Sequence, residues 1–146
     1  MNIKELRIGN IVERPTVGID HSLRWGKYDR VAGIHGAVLF ASTEQLELIS
    51  FAVERCAGVA LTERVLEKVG FSKENYSRGC MGLGDILDPF ILEPSANLSL
   101  CDWVWVYSEG GREFKQPVRY LHDLQNLYFM LTREELKFEL FQNDEL

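Results

Sequence analysis

Short runs of alternating hydrophobic and polar residues occupy the first third of the chain, and turn residues separate them. This alternation is typical of β-strands with one buried face. Ile11 and Val12 follow the turn pair Gly9-Asn10, and Pro15 is expected to end their strand or to place it at a sheet edge. The remaining segments are predicted to be a loop over residues 16–27, strands over 28–34 and 37–41 joined by a tight turn at 35–36, and a strand over 46–53.

A helical pattern begins at Thr62, whose hydroxyl can cap the helix, and Gly70 provides the stop. Between them the apolar positions recur at helical spacing, which predicts a short helix with one buried face. Residues 72–88, in contrast, show no clear period and are predicted to form an irregular loop. The apolar stripe of the helix consists of Leu61, Val65, Leu66 and Val69.

The strongest strand pattern covers residues 98–107. Trp103, Trp105 and Tyr107 share one face of this strand, and valines fill the other. Because both faces are apolar, we expect a central strand covered on both sides, with Trp103 and Trp105 largely buried. Glu109-Gly110-Gly111 is typical of a hairpin turn that leads into a return strand over residues 112–115.

Pro117 fits the first position of a second helix, which is predicted to end near residue 131. When the helix is turned at about 100° per residue, its apolar side chains fill a little over half of the circumference. Gln125 projects inside this apolar arc, whereas His122 and Asn126 lie on the polar side. Burying an amide without partners is costly, so Gln125 is predicted to be a buried structural residue that is hydrogen-bonded within the protein, and Asn126 to be more exposed.

These elements predict an α+β fold in a single domain over residues 1–146, with possible lobes at 1–60, rich in β-strands, and 61–146, of mixed type. The N-terminal strands are interpreted as a small SH3-like barrel or a curled antiparallel sheet. The C-terminal part is interpreted as a β-meander packed by the helix over residues 117–131. The capping-box pattern at Thr132 predicts one further helical turn, followed by a strand over residues 136–140.

Charge is distributed unevenly along the chain, whose net charge is −6. Residues 1–73 carry ten Lys or Arg and nine Asp or Glu, whereas residues 74–146 carry six and thirteen. An acidic protein repels phosphate at long range, which disfavours nucleic acid as a partner. The three cysteines are widely spaced and no apolar run approaches the length of a membrane span, so we expect reduced thiols, a cytoplasmic location and no membrane partner.

No catalytic or metal-binding motif stands out in the sequence. The glycine-rich segment 79–84 lacks the Lys of a phosphate loop, and Asp85 after it would repel phosphate. A nucleophilic pair of Cys80 and His122 needs an orienting group, and Asp123 is expected to point about 100° away from that ring on the helix. The three histidines are far apart in sequence. No catalytic residue, metal ligand or cofactor is therefore assigned.

One basic and aromatic segment is a candidate binding patch. Arg24, Trp25, Lys27 and Tyr28 interleave cations with rings, which is the composition that stacks bases and holds phosphates. In a small barrel this segment would lie in a loop, where binding surfaces are common. A structural role or a contact with another protein is the other interpretation of the same residues.

Three segments resemble an uncharacterised family of small proteins from Bacteroides-type gut bacteria, their phages and their integrated mobile elements. They are ELRIGN at residues 5–10, LTERVLEKVGF at 61–71 and YLHDLQNLYFMLT at 120–132. The last segment is the most specific, and residues 77–97 do not match the family pattern. The resemblance implies a phage or mobile-element origin and implies no activity.

We therefore expect a non-enzymatic protein-interaction module, whose partner is another protein or a second copy of the chain. The alternative is a nucleic-acid-binding accessory protein that uses the loops of the N-terminal strands.

Overall fold

The computed structural model has an α+β fold of two antiparallel sheets and two helices among the residues it describes, which confirms the predicted class. It describes residues 4, 6–17, 23–34, 38–41, 48–51, 56–74, 76, 79–84, 90–96 and 102–137. The elements are β1 (Ile11–Val17), β2 (Leu23–Ile34), β3 (Val38–Ala41), β4 (Leu48–Phe51), β5 (Ala57–Gly58), α1 (Glu63–Lys68), β6 (Met81–Leu83), β7 (Phe90–Pro94), β8 (Trp103–Glu109), β9 (Arg112–Val118) and α2 (Leu121–Thr132).

The chain divides into two compact units. The N-terminal unit comprises residues 1–59 together with 120–135 and 140–146, and the meander unit comprises residues 60–119 and 136–139. The first boundary lies beside the expected lobe boundary at residue 60. Helix α2, however, groups with the N-terminal unit, where it contacts β1, whereas the sequence analysis packed it on the meander.

The N-terminal unit contains an antiparallel sheet in the order β4-β3-β2-β1-β5. Within the described residues this sheet does not close on itself, so the barrel interpretation is not confirmed. Strand β1 does not end at Pro15, because a β-bulge between Arg14 and Thr16 accommodates a residue without an N–H. The predicted loop over residues 16–27 is also wrong in part, since β2 begins at Leu23 and pairs with β1.

The apolar side of this sheet buries Leu6, Val12, Val31 and Cys56 in one cluster. Ile11, with none of its surface exposed, points away from these residues on the alternate face of β1. The predicted hairpin pairs β2 with β3, and β4 adds the next strand. The tight turn proposed at residues 35–36 lies outside the described residues.

Helix α2 begins at Leu121 rather than at Pro117, which belongs to β9. The helix starts there because the carboxylate of Asp123 accepts the Tyr120 N–H at 3.1 Å and caps the first turn. Thr132 ends α2 instead of starting another helix, and its hydroxyl donates to the Tyr128 carbonyl at 2.9 Å. Residues 136–137 form no strand, and residues 138–140 lie outside the described part of the chain.

The meander unit contains a four-stranded antiparallel sheet in the order β6-β7-β8-β9, as the predicted meander requires. Helix α1 is capped as expected, since Thr62 Oγ1 accepts the Val65 N–H at 3.2 Å. Gly70 ends it with φ +96°, a conformation that favours glycine. The segment predicted as an irregular loop contains β6, which pairs with β7 and is covered at Gly82 by the Tyr76 ring.

The two tryptophans of β8 differ in burial. Trp103 is 4% exposed, and its indole Nε1 donates to the Leu61 carbonyl at 2.8 Å. Trp105 is only half-buried, so the prediction that both rings are largely buried is wrong for Trp105. The difference follows from position along the strand, because Trp103 faces Val118 at the covered end of the sheet whereas Trp105 faces the exposed Gln116.

We predict that Trp103→Ala lowers the free energy of unfolding by about 3–5 kcal/mol, because a large buried side chain leaves a cavity and the Leu61 carbonyl loses its donor. Trp105→Ala serves as the matched control and should cost less than about 2 kcal/mol, because part of that ring is already in water. Urea unfolding followed by far-UV circular dichroism measures both. Equal losses would contradict the assigned difference in burial.

Candidate interaction surface

The basic and aromatic patch proposed from the sequence lies on strand β2 and not in a loop. Arg24 pairs with Thr16 of β1, Lys27 with Arg14, and Tyr28 with Glu13. The side chains of Arg24, Trp25 and Lys27 lie outside the described residues. In this segment β2 pairs with β1, and its pairing with β3 begins only at Val31.

Tyr28 and its charged neighbours are engaged within the N-terminal unit. Burial raises the pKa of the Tyr28 hydroxyl above its ordinary value, and the facing Glu13 carboxylate raises it further. Arg14 is 6% exposed and forms an ion pair with Asp29 at 2.9 Å. Arg30 donates to the Gly9 carbonyl at 3.1 Å. Arg14 and Arg30 therefore form contacts within the unit, which is evidence against a phosphate-binding surface around them.

Gln125 is buried and hydrogen-bonded, as predicted from its place in the apolar arc of α2. Its exposed fraction is 0%, and its Oε1 accepts the backbone N–H of Ile11 at 2.8 Å. Its Nε2 lies 3.4 Å from the Gly9 carbonyl oxygen. Asn126 is half-buried and therefore more exposed, which confirms the predicted phase of the helix at these two positions.

Arg7 forms a second link between the N-terminal segment and α2. Its guanidinium donates to both carboxylate oxygens of Glu135, at 2.6 and 2.9 Å, and its Nε donates to Asn126 Oδ1 at 2.8 Å. The same group lies 4.4 Å from the centre of the Phe129 ring. The hydrogen bonds from Arg7 lower the pKa of Glu135 below its ordinary value. The cation is thus held by a carboxylate, an amide and a ring together.

Asn10 completes this network without being exposed. Its Oδ1 accepts the Arg7 N–H at 2.8 Å, and its Nδ2 donates to Asn126 Oδ1 at 2.9 Å. Arg7 and Asn10 of the N-terminal segment and Asn126 of α2 therefore meet in one polar network. Since the groups of this network bond one another, they secure the fold and do not form an open ligand site.

His122 is buried, although the helical phase placed it on the polar side. The helix starts four residues later than predicted, so His122 lies in its first turn, where the Tyr120 ring stacks on it at 5.5 Å. Asp123 does not point away from it, because its carboxylate folds back to cap Tyr120 and brings Oδ1 within 3.4 Å of His122 Nε2. Cys80 belongs to the meander unit.

The meander unit carries a row of stacked rings, here called the aromatic row, formed by Phe90, Trp105, Tyr107 and Phe114. Phe90 stacks on Trp105 with ring centres 5.3 Å apart, Trp105 on Tyr107 at 4.2 Å, and Tyr107 on Phe114 at 5.0 Å. The planes of neighbouring rings differ by no more than 17°. The row crosses three strands on one face of the sheet.

The hairpin between β8 and β9 sets the row in place. Gly110 and Gly111 adopt φ +58° and +76°, the left-handed values that a two-residue type I′ turn requires. This turn pairs Tyr107 with Phe114 directly across the strands. Phe71 contacts the other end of the row, since its ring meets Phe90 edge-on at 6.0 Å and 82°.

The aromatic row is open to solvent along part of its length. Phe114 is 40% exposed, and the other three rings are half-buried. Trp105 and Tyr107 each stack on two neighbouring rings, so their ring faces are engaged. Such a row of accessible rings is typical of a protein contact surface.

The sequence pattern predicts no binding role for the rings of this row. Trp105 and Tyr107 were placed on one face, but Phe114 and Phe90 were not joined to them. The Gly110-Gly111 turn predicted from the sequence places Tyr107 opposite Phe114, so this contact could be found by counting residues from the turn. Phe90 required the pairing of β7 with β8, which no turn in the sequence specifies.

Among the described residues, no three histidine, cysteine or acidic side chains come together in a group able to hold a metal ion. The helices in that part of the chain are too short to cross a membrane. No protein-family model matches the sequence, and no curated protein or solved structure matches it.

We predict that Gln125→Met lowers the free energy of unfolding by about 1–3 kcal/mol, because it leaves the buried Ile11 N–H without an acceptor. Met130→Gln lies on the same helix at a position 62% exposed and serves as the control, with an expected change within about 0.5 kcal/mol. Thermal and urea unfolding measure both variants. A Gln125→Met protein as stable as the wild type would show that this bond is dispensable.

Proposed function

We propose that the chain is a non-enzymatic protein-interaction module of phage or mobile-element origin, and that its partner is a protein that contacts the aromatic row. The observation that carries this proposal is a row of four stacked aromatic rings on one face of the meander sheet, of which Phe114 is exposed and the other three are half-buried. Aromatic side chains contribute most of the binding energy at many protein interfaces, and they do so at partly exposed positions of this kind.

The stacking within the row favours a protein over a nucleic acid. A base or a sugar stacks on a free ring face, yet the faces of Trp105 and Tyr107 already contact neighbouring rings. Ring edges carry partial positive charge and are suited to the face of a partner's aromatic side chain or to a backbone carbonyl. Both groups are abundant on protein surfaces.

The charged side chains on the opposite face of this sheet also disfavour phosphate. Lys115 of β9 donates to Glu93 at 2.6 Å and lies 3.4 Å from Glu113, so its charge is balanced within the sheet. The whole chain carries a net charge of −6. Binding of nucleic acid through Arg24, Trp25, Lys27 and Tyr28 is the competing function, and the experiment below distinguishes it.

The proposal includes a cytoplasmic location. Cys56 is buried and Cys80 is half-buried, and their wide spacing along the chain forms no disulfide framework. Reduced thiols of this kind are usual in the cytoplasm. The resemblance of residues 5–10, 61–71 and 120–132 to small proteins of phages and mobile elements supports the proposed origin.

The test places a photo-crosslinking phenylalanine analogue at Phe114, or at Met130 as a more exposed control in the other unit, in cells that naturally produce the chain. We predict discrete polypeptide adducts from position 114 after irradiation, and their loss when Trp105→Ala and Tyr107→Ala remove the inner rings. Gel electrophoresis with and without nuclease identifies the class of each adduct.

Three results contradict the proposal. They are adducts that nuclease digests, adducts that form equally from position 130, and the absence of adducts from position 114. Circular dichroism of each purified variant confirms that the fold is retained, so a loss of adducts reports the surface and not unfolding.

A further inference from the structure

Strand β9 is an edge of the meander sheet and is exposed along nearly its whole length. It pairs with β8, and among the described strands no other lies on its second side. Residues 112–117 are exposed, and only Val118 is buried. An exposed edge presents backbone N–H and C=O groups that can pair with another strand.

The turn at Gly110-Gly111 determines which backbone groups face outward. In a two-residue type I′ hairpin the closing pair, Glu109 with Arg112, is hydrogen-bonded, so the N–H and C=O groups of Arg112 point toward β8. The orientation alternates along the strand. Glu113 and Lys115 therefore direct their backbone N–H and C=O groups to the open edge, and Pro117 offers only a carbonyl there.

We infer that the partner strand is β9 of a second copy of this chain, paired antiparallel about Phe114. In this arrangement Glu113 faces Lys115 of the second copy, and Lys115 faces Glu113. The two pairs are related by symmetry and allow four backbone hydrogen bonds from the outward-facing groups. The inference rests on the proposed function and gives its interaction module a specific partner.

Charge complementarity selects this register over its neighbours. Pairing about Glu113 or about Lys115 would place two identical charges directly opposite each other, which is unfavourable in a sheet. Lys115 on an edge strand normally opposes pairing with other strands. Here Lys115 already contacts Glu93 at 2.6 Å and Glu113 at 3.4 Å in its own chain. Across the paired edge it would lie between Glu113 of both copies, which makes the edge self-complementary.

The aromatic row continues across the same symmetry axis. Phe114 would face Phe114 of the second copy at a non-hydrogen-bonded pair, where opposing Cα atoms are about 4.5 Å apart and side chains are closest. The symmetry axis is perpendicular to the sheet, so both rows lie on the same face. The exposed end of each row is then covered by the other, which accounts for the 40% exposure of Phe114 in one copy.

Charge reversal on purified full-length chains tests this pairing. In Glu113→Lys alone and in Lys115→Glu alone, like charges face each other at both symmetric pairs. We expect each variant to raise the dimer dissociation constant about tenfold or more. Mixing the two variants places opposite charges at every pair and should restore a 1:1 dimer. Sedimentation velocity at matched concentrations measures each species.

Glu67→Lys provides a matched control, because it makes the same charge reversal at an exposed residue of helix α1 and not on β9, and it should leave the dimer unchanged. A dimer that survives both single reversals would overturn the register. A mixture that stays monomeric would overturn it as well. A wild-type chain that is monomeric at its highest soluble concentration would overturn the second copy as partner, whereas crosslinks from Phe114 to a different polypeptide would still support the proposed function.

Discussion

The hydrogen bond from the backbone N–H of Ile11 to the Gln125 side chain is the constraint on which the N-terminal unit depends. Ile11 opens β1 with no surface exposed, so its N–H needs an acceptor inside the protein. The acceptor comes from a residue that lies 114 positions later in the chain. Helix α2 must therefore return to β1, and Arg7 and Asn10 hold it there through Asn126.

The meander unit is organised differently, around a turn and the rings it aligns. Two glycines with positive φ give the β8–β9 hairpin its register, and that register brings Phe114 beside Tyr107. The stacked rings then reach the edge strand, where a charged residue of each sign flanks Phe114. One local feature, the type I′ turn, thus decides which side chains meet, which backbone groups face outward and where a partner can pair. The polar network of Arg7, Asn10 and Asn126 stabilises the N-terminal unit. The β9 edge, in contrast, has no neighbouring strand on its second side among the described strands.

Features that depend on neighbouring residues could be predicted from the sequence, and features that depend on distant strands could not. The Thr62 cap, the Gly70 stop and the burial of Gln125 follow from helix geometry alone and are confirmed. Strand β6 was interpreted as a loop because its glycines are typical of turns, but pairing with β7 and the cover of Tyr76 make it a strand. The helical rotation places His122 on the polar side, but contacts with the Tyr120 ring and with Asp123, which the rotation does not include, accompany its burial. The aromatic row is only partly predictable from the sequence. The Gly110-Gly111 turn specifies the pairing of Tyr107 with Phe114, whereas no turn specifies the pairing of β7 with β8 that brings in Phe90.

The most direct measurement of the central claim is disulfide formation by Phe114→Cys under mild oxidation. At the centre of the paired edges the two introduced thiols face each other at a separation of about 4.5 Å between Cα atoms, within the range that a disulfide spans. Gln116→Cys is the control, because its two copies would be about 13 Å apart in the same register. We predict a covalent dimer from position 114 and none from position 116 beyond the wild-type background. Equal yields from both positions, or no dimer from position 114, would contradict it.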